Sequence, residues 1–146
     1  MYPYHVQRVH LRPGDFAERL NFCKWLNGRR QLHRYIMFTD EAQFTRDGVN
    51  NTHNSRVWCA VWDDQLIGPF ILEGRLTGEA YLRFLQEELP RLLDDVPLNK
   101  RDRMYFQHEG APPHSSSEVR KFLNYRFPGQ WIGRCGPHDC QPGLQT

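Results

Sequence analysis

Between Tyr35 and Leu72 the chain runs in short β-branched and aromatic stretches broken by turn residues, and from Thr77 it changes to an apolar repeat of helical period. That switch restricts the fold more than any other feature. Tyr35–Thr39 reads as a strand that ends in Asp40-Glu41, followed by Phe44 and a turn signal at Asp47-Gly48. Val57–Trp62 reads as a second strand, and Asp63-Asp64 turns it into a third, Leu66–Leu72, so the start is antiparallel. Thr77 then caps a helix with Tyr81, Leu82, Phe84, Leu85, Leu89, Leu92 and Leu93 on one broad apolar side, with a kink expected at Pro90. After Pro97, Met104–His108 is a short strand that finishes in Glu109 and stops at Gly110-Ala111-Pro112-Pro113. Ser115 and Glu118 spell a capping box for a helix carrying Val119, Phe122 and Leu123, closed by Pro128-Gly129, and Trp131-Ile132 begins a last strand. Ahead of all this, Asp15 caps a helix to about Leu26, with Phe16, Leu20 and Cys23 as its packing face and Asn27-Gly28 as its stop. Beyond Gly133 no periodicity remains, and the tail is expected to fray. This order predicts an α/β domain, a mixed sheet flanked by helices.

A length of 146 residues accommodates one core, and 13% aromatic content is too rich for a disordered chain. The formal net charge is +2, so any nucleic-acid surface has to be local. Two basic clusters qualify, Arg29, Arg30, His33 and Arg34 before the first strand, and Lys100, Arg101 and Arg103 before a later one. Each reads equally well as a solvated rim. No stretch approaches the ~20 apolar residues of a membrane span, and MYPYHVQRVH lacks the apolar core of a signal peptide, so an intracellular, non-secreted protein is expected. The scattered cysteines Cys23, Cys59, Cys135 and Cys140 read as reduced thiols.

Two strands that each end in an acidic residue, Asp40 and Glu109, are the main chemical clue, because neighbouring strand ends bring together carboxylates far apart in sequence. A divalent cation would explain such a pair. Mg²⁺ takes oxygen ligands, and two ions about 3.5–4 Å apart can activate a nucleophile and stabilise a leaving oxygen in phosphodiester cleavage. From spacing alone, solvated turn residues explain the pair as well. A zinc-protease reading of His108-Glu109 with His114 fails because the second histidine would fall at position 112, which is Pro112. Zinc on Cys135, His138 and Cys140, joined by His114, lacks paired C-x₂-C spacing. Trp58 and Trp62 alternate with Cys59 and Val61, which favours core packing over base stacking. Gln107 and His108 serve either to orient a site at Glu109 or to hydrogen-bond the strand end.

The words around these carboxylates are more specific. FTDEAQF (Phe38–Phe44), HNS (His53–Ser55), LIGPF (Leu66–Phe70), LTGEAYLRFLQEELPRLLDDVP (Leu76–Pro97), FQHEGAPPH (Phe106–His114) and FPGQWIGR (Phe127–Arg134) follow one another in this order. Together they resemble the catalytic domain of the mariner/Tc1-type DDE transposases, over nearly the whole chain up to Arg134. The resemblance implies an RNase H-like fold, with residues 1–34 as linker and helix before the core, 35–134 as an internally deleted DDE core, and 135–146 as an irregular tail. It also implies metal-dependent DNA nicking and strand transfer, with Asp40 and Glu109 as metal-holding catalytic residues.

Four departures from the family pattern qualify this. Glu109 stands where the family has aspartate, and a misplacement near 1 Å can cost about a hundredfold in rate. The third acidic residue has no counterpart but Asp139. HNSR runs into VWCAVW without the family's longer intervening segment. MYPYHVQRVH already resembles the linker before the core, so helix-turn-helix targeting domains are expected to be absent. The expectation is a transposable-element-derived domain that is catalytically impaired and nuclear. It would bind Mg²⁺ or Mn²⁺ weakly and DNA weakly and non-specifically through Arg29, Arg30 and Arg34. The alternative is a non-enzymatic nucleic-acid-binding or interaction module on the same scaffold.

Overall fold

A computed structural model of the chain describes residues 14–44 and 55–139. Helix α1 (Asp15–Asn27) and a 3₁₀ turn (Leu32–Tyr35) precede the strands β1 (Ile36–Phe44), β2 (Ser55–Trp62) and β3 (Gln65–Leu72). Then come α2 (Gly78–Arg83), a π-helical stretch (Phe84–Glu88), α3 (Leu89–Leu92), α4 (Leu98–Arg101), β4 (Tyr105–Gln107), α5 (Ser117–Arg126) and β5 (Trp131–Ile132). The strands form one five-stranded sheet in the order β3-β2-β1-β4-β5. β1, β2 and β3 pair antiparallel, as the short turns predict, and β4 joins β1 and β5 in parallel. The β2–β3 turn is made by Asp63, whose φ of 56° is tolerable for Asp.

Because side chains alternate along a strand, successive residues go to opposite faces. Met37, Phe106 and Trp131 enter the main core with Trp58, Ala60, Trp62 and the apolar side of α2, α3 and α5. Their neighbours Ile36, Tyr105 and Ile132 face the other way, into a smaller cluster with Leu32 and Phe22, Trp25 and Leu26 from α1. Helices therefore cover both faces, the large core on one and α1 on the other. Trp58 and Trp62 are core residues, 0% and 3% exposed.

Several local expectations change. α1 packs through Phe22, Trp25 and Leu26, whereas Phe16 and Leu20 are 71% and 55% exposed and Cys23 is exposed. Its N-cap is Gly14, without a side-chain cap. Thr77 caps α2 as expected, Oγ1 accepting from the Ala80 amide at 3.1 Å. At Pro90, which has no amide proton, the run does not break; the turn before it widens, and the Leu89 N–H reaches Phe84 O in an i→i−5 bond. Ser115 caps nothing, because its hydroxyl donates to the carbonyls of Ala111 and Pro112; α5 starts after Ser116. Residues 135–139 do not fray. The Gly133 N–H donates to His138 O at 3.2 Å, Cys135 N–H to Asp139 Oδ2 at 2.9 Å, and the His138 ring stacks on Trp25 at 4.0 Å. The Asp47-Gly48 turn, His53, Asn54 and Cys140 lie outside the described residues.

Candidate metal centre

β1 is longer than its sequence signal. It pairs with β2 as far as Phe44↔Ser55, so Asp40 lies opposite Cys59 inside the strand, not at its end. On the other side β4 pairs with β1 only as far as Phe38↔Gln107, and the two strands part immediately before Asp40 and Glu109. The parting is fastened on one side: Thr39 Oγ1 donates to Gln107 O at 2.8 Å and the Thr39 amide to Gln107 Oε1 at 3.3 Å. Gln107 thus serves as a strand-end hydrogen-bonding residue. Asp40 and Glu109 line one cavity of about 450 Å³ with Phe38, Thr39, Cys59, Val61 and Gln107. Asp40 Oδ1 accepts from the Glu41 amide at 2.9 Å. Burial, followed by the charge of Asp40, raises the Glu109 carboxyl above its usual value, with Arg56 opposing.

The residue after Asp40 takes part from the other face. Alternation sends Phe38, Asp40 and Ala42 to an exposed side and Met37, Thr39 and Glu41 inward, and the Glu41 side chain is 3% exposed. Its Oε2 stands 3.4 Å from Nε2 of His114, which is itself 0% exposed. The other ring nitrogen, Nδ1, is 3.2 Å from the Glu109 carbonyl and 3.9 Å from Glu109 Oε1. Glu41, Glu109 and His114 each offer a ligand atom within 4.8 Å of the other two. Burial, then the charges of Glu109 and Asp40, push the Glu41 carboxyl up to about 8, with Arg56 opposing. Burial drives His114 down to about 4, although its bond to the Glu109 carbonyl opposes the change.

His108 does not reach the cavity. It is buried beside Tyr81, whose hydroxyl lies 3.3 Å from Nδ1, and burial followed by His114 lowers it to about 3. Burial, then Glu41 and Glu109, raise the Tyr81 hydroxyl well above its ordinary range. Glu41 and His114 were absent from the sequence-based site, although the alternation of IMFTDEAQF carries the signal for Glu41.

The remaining candidates lie elsewhere. Arg29 and Arg30 line a separate cavity with Leu26, Asn27 and His33, and Arg29 lies over the Trp25 ring, 5.0 Å from its centroid. Arg34 is exposed, its carbonyl accepting from Trp62 Nε1 at 3.1 Å. Asp139 lines a third cavity, with Glu18, Asn21, Phe22, Trp25, Pro137 and His138, and not the one that holds Asp40 and Glu109. In the second basic cluster Lys100 approaches Asp63 at 3.9 Å and Arg103 approaches the Tyr35 hydroxyl at 3.4 Å. No helix among the described residues is long and apolar enough to cross a membrane.

No family model matches the chain, and no curated protein matches it significantly. Solved structures do. The catalytic domain of Mos1 mariner transposase superposes with a TM-score of 0.62 at 21% identity, covering 80% of this chain and 59% of that one. The Mos1 paired-end complex with Mn gives 0.63 at 20% identity, covering 90% and 47%. The corresponding complex with Mg gives 0.57 at 22%, covering 88% and 46%. The chain spans about half the length of the transposase chains it matches. Its mixed sheet and flanking helices have the RNase H-like fold of the Mos1 transposase catalytic domain.

Proposed function

We propose that the chain is a transposase-type DNA-processing domain in which Asp40 and Glu109 hold Mg²⁺ or Mn²⁺ weakly and in which phosphodiester cleavage and strand transfer are impaired. The observation that carries this reading is the meeting of the two carboxylates on one cavity where β1 and β4 part. They do so on a fold shared with a transposase whose structures include complexes with Mn, with Mg and with a transposon end. Asp40 and Glu109 would hold the cation, which would supply activation of water and stabilisation of the leaving oxygen. The residues of the chain position the carboxylates: the Thr39–Gln107 bonds fix the strand separation, and the Glu41 amide steadies Asp40. Impairment follows from Glu109, one methylene longer than the family's aspartate, whose raised pKa makes a cation compete with a proton. A nuclear location is part of the same proposal and rests on the resemblance to transposases alone.

A supercoiled-plasmid nicking assay with Mg²⁺ or Mn²⁺ tests the proposal. Slow metal-dependent nicking that Asp40→Ala abolishes is expected, and robust cleavage would refute the impairment. A DNA-binding module without catalysis is the alternative favoured by the cavity that gathers Arg29, Arg30 and His33. It requires salt-dependent DNA binding that Asp40→Ala leaves intact and that replacing Arg29, Arg30 and Arg34 weakens.

A further inference from the structure

The inner side of the strand junction carries an arrangement that cleavage at Asp40 and Glu109 does not use. We propose that Glu41, Glu109 and His114 form a second cation site, of mixed nitrogen and oxygen donors, that takes Mn²⁺ or another first-row transition ion in preference to Mg²⁺. This assignment shares Glu109 with the open cavity but does not depend on DNA cleavage.

Three observations carry it. The first is proximity: one ligand atom from each residue lies within 4.8 Å of the other two. Ligands at roughly 2.0–2.2 Å from an ion lie roughly 3–3.5 Å apart, so movements of about an ångström close the set. The second is the state of the buried atoms. Both carboxylate oxygens of Glu41 and Nε2 of His114 are buried and make no hydrogen bond among the described residues, Oε2 and Nε2 approaching each other only to 3.4 Å. Burying such groups without partners costs free energy, and a cation is a partner that satisfies two acceptors at once.

The third is the orientation of the imidazole. Its Nδ1 faces the Glu109 backbone carbonyl, which can only accept, so Nδ1 carries the proton and Nε2 presents its lone pair toward Glu41. A histidine ligand whose other nitrogen donates to a carbonyl is the usual supporting arrangement around protein-bound metals. Imidazole among the donors disfavours Mg²⁺, which prefers oxygen, and suits the transition ions.

Mn²⁺ titration of the full chain, by calorimetry and by pulsed EPR, tests the site. Stoichiometric Mn²⁺ binding at least tenfold tighter than Mg²⁺ is expected, together with ¹⁴N coupling from a directly bound imidazole. Glu41→Gln, which keeps the shape of the side chain, should weaken Mn²⁺ at least tenfold and remove the ¹⁴N signal at limiting Mn²⁺. Asp40→Asn should keep that signal. Binding without ¹⁴N coupling that disappears in Asp40→Asn overturns the inner site and leaves the cleavage proposal standing. Coupling that persists at full affinity in Glu41→Gln also overturns it, since Glu41 is then no ligand of the ion. Glu41-dependent coupling without any plasmid nicking supports the inner site while the cleavage proposal fails.

Discussion

Replacing Glu41 by Gln should change how the metal-free protein responds to alkaline pH. The folded carboxyl ionises at about 8 against an ordinary value of 4.5, so the folded chain holds this proton more tightly than the unfolded one. For a raised pKa the associated stability is complete below 4.5 and is lost as pH climbs to about 8. His114 and His108 act in the opposite sense. Their folded values, about 4 and about 3, lie below the ordinary 6.5, so they cost stability as pH falls through 6.5, and their opposing slope fades only about a unit above it. Because the histidines act equally in both proteins, the difference between wild type and Glu41→Gln from pH 6.5 to 8 isolates Glu41. At 1.36 kcal/mol per tenfold change in protonation, the wild-type chain should lose about 2 kcal/mol relative to the variant across that interval, roughly 5–8 °C in Tm for a chain of this size. Glu109, also raised, acts in the same direction as pH climbs above 4.5. Urea unfolding in EDTA, followed by tryptophan fluorescence at pH 6.5, 7.2 and 8, should show wild type losing this stability relative to Glu41→Gln. Parallel pH profiles for the two proteins would falsify the description of Glu41 as a buried neutral acid.

Other perturbations have defined outcomes. Gly133→Ala drives a methyl into the buried His108 ring at Cδ2 and Nε2, and should destabilise by about 1–3 kcal/mol in urea. Unchanged stability would mean that the ring is free to shift. Thr39→Val deletes the 2.8 Å bond to the Gln107 carbonyl and should cost about 1 kcal/mol in the same assay. If that bond sets the carboxylate separation, the variant should also bind Mn²⁺ more weakly. Trp25→Ala removes the ring on which His138 stacks, and should raise the rate of proteolysis at residues 134–139 while leaving the main core intact.

The sheet and its helices were legible because their signals are local. Alternation in Val57–Trp62, the helical repeat from Tyr81 to Leu93 and the turn at Asp63 each dictate one conformation over a few residues. What escaped depends on partners distant in sequence. Phe16, Leu20 and Cys23 have helical spacing, but Phe22, Trp25 and Leu26 pack because Ile36 and Ile132 lie against them. Ser115 matches a capping pattern, yet the preceding turn engages its hydroxyl. The shared cavity of Asp40 and Glu109 follows the expectation that two acidic motifs converge, although Asp40 lies inside β1 and not at its end. His114 was not legible in the same way, since only the turn from Ala111 to Ser115 brings it back beneath Glu109.

The dyad Asp40-Glu41 acquires two unlike environments from a single property of β1, its alignment with β2. Sliding that alignment by one position would turn Asp40 into the interior and Glu41 out to water, exchanging their chemical roles without altering the composition. A change that shifts this alignment by one residue would disable both carboxylates together.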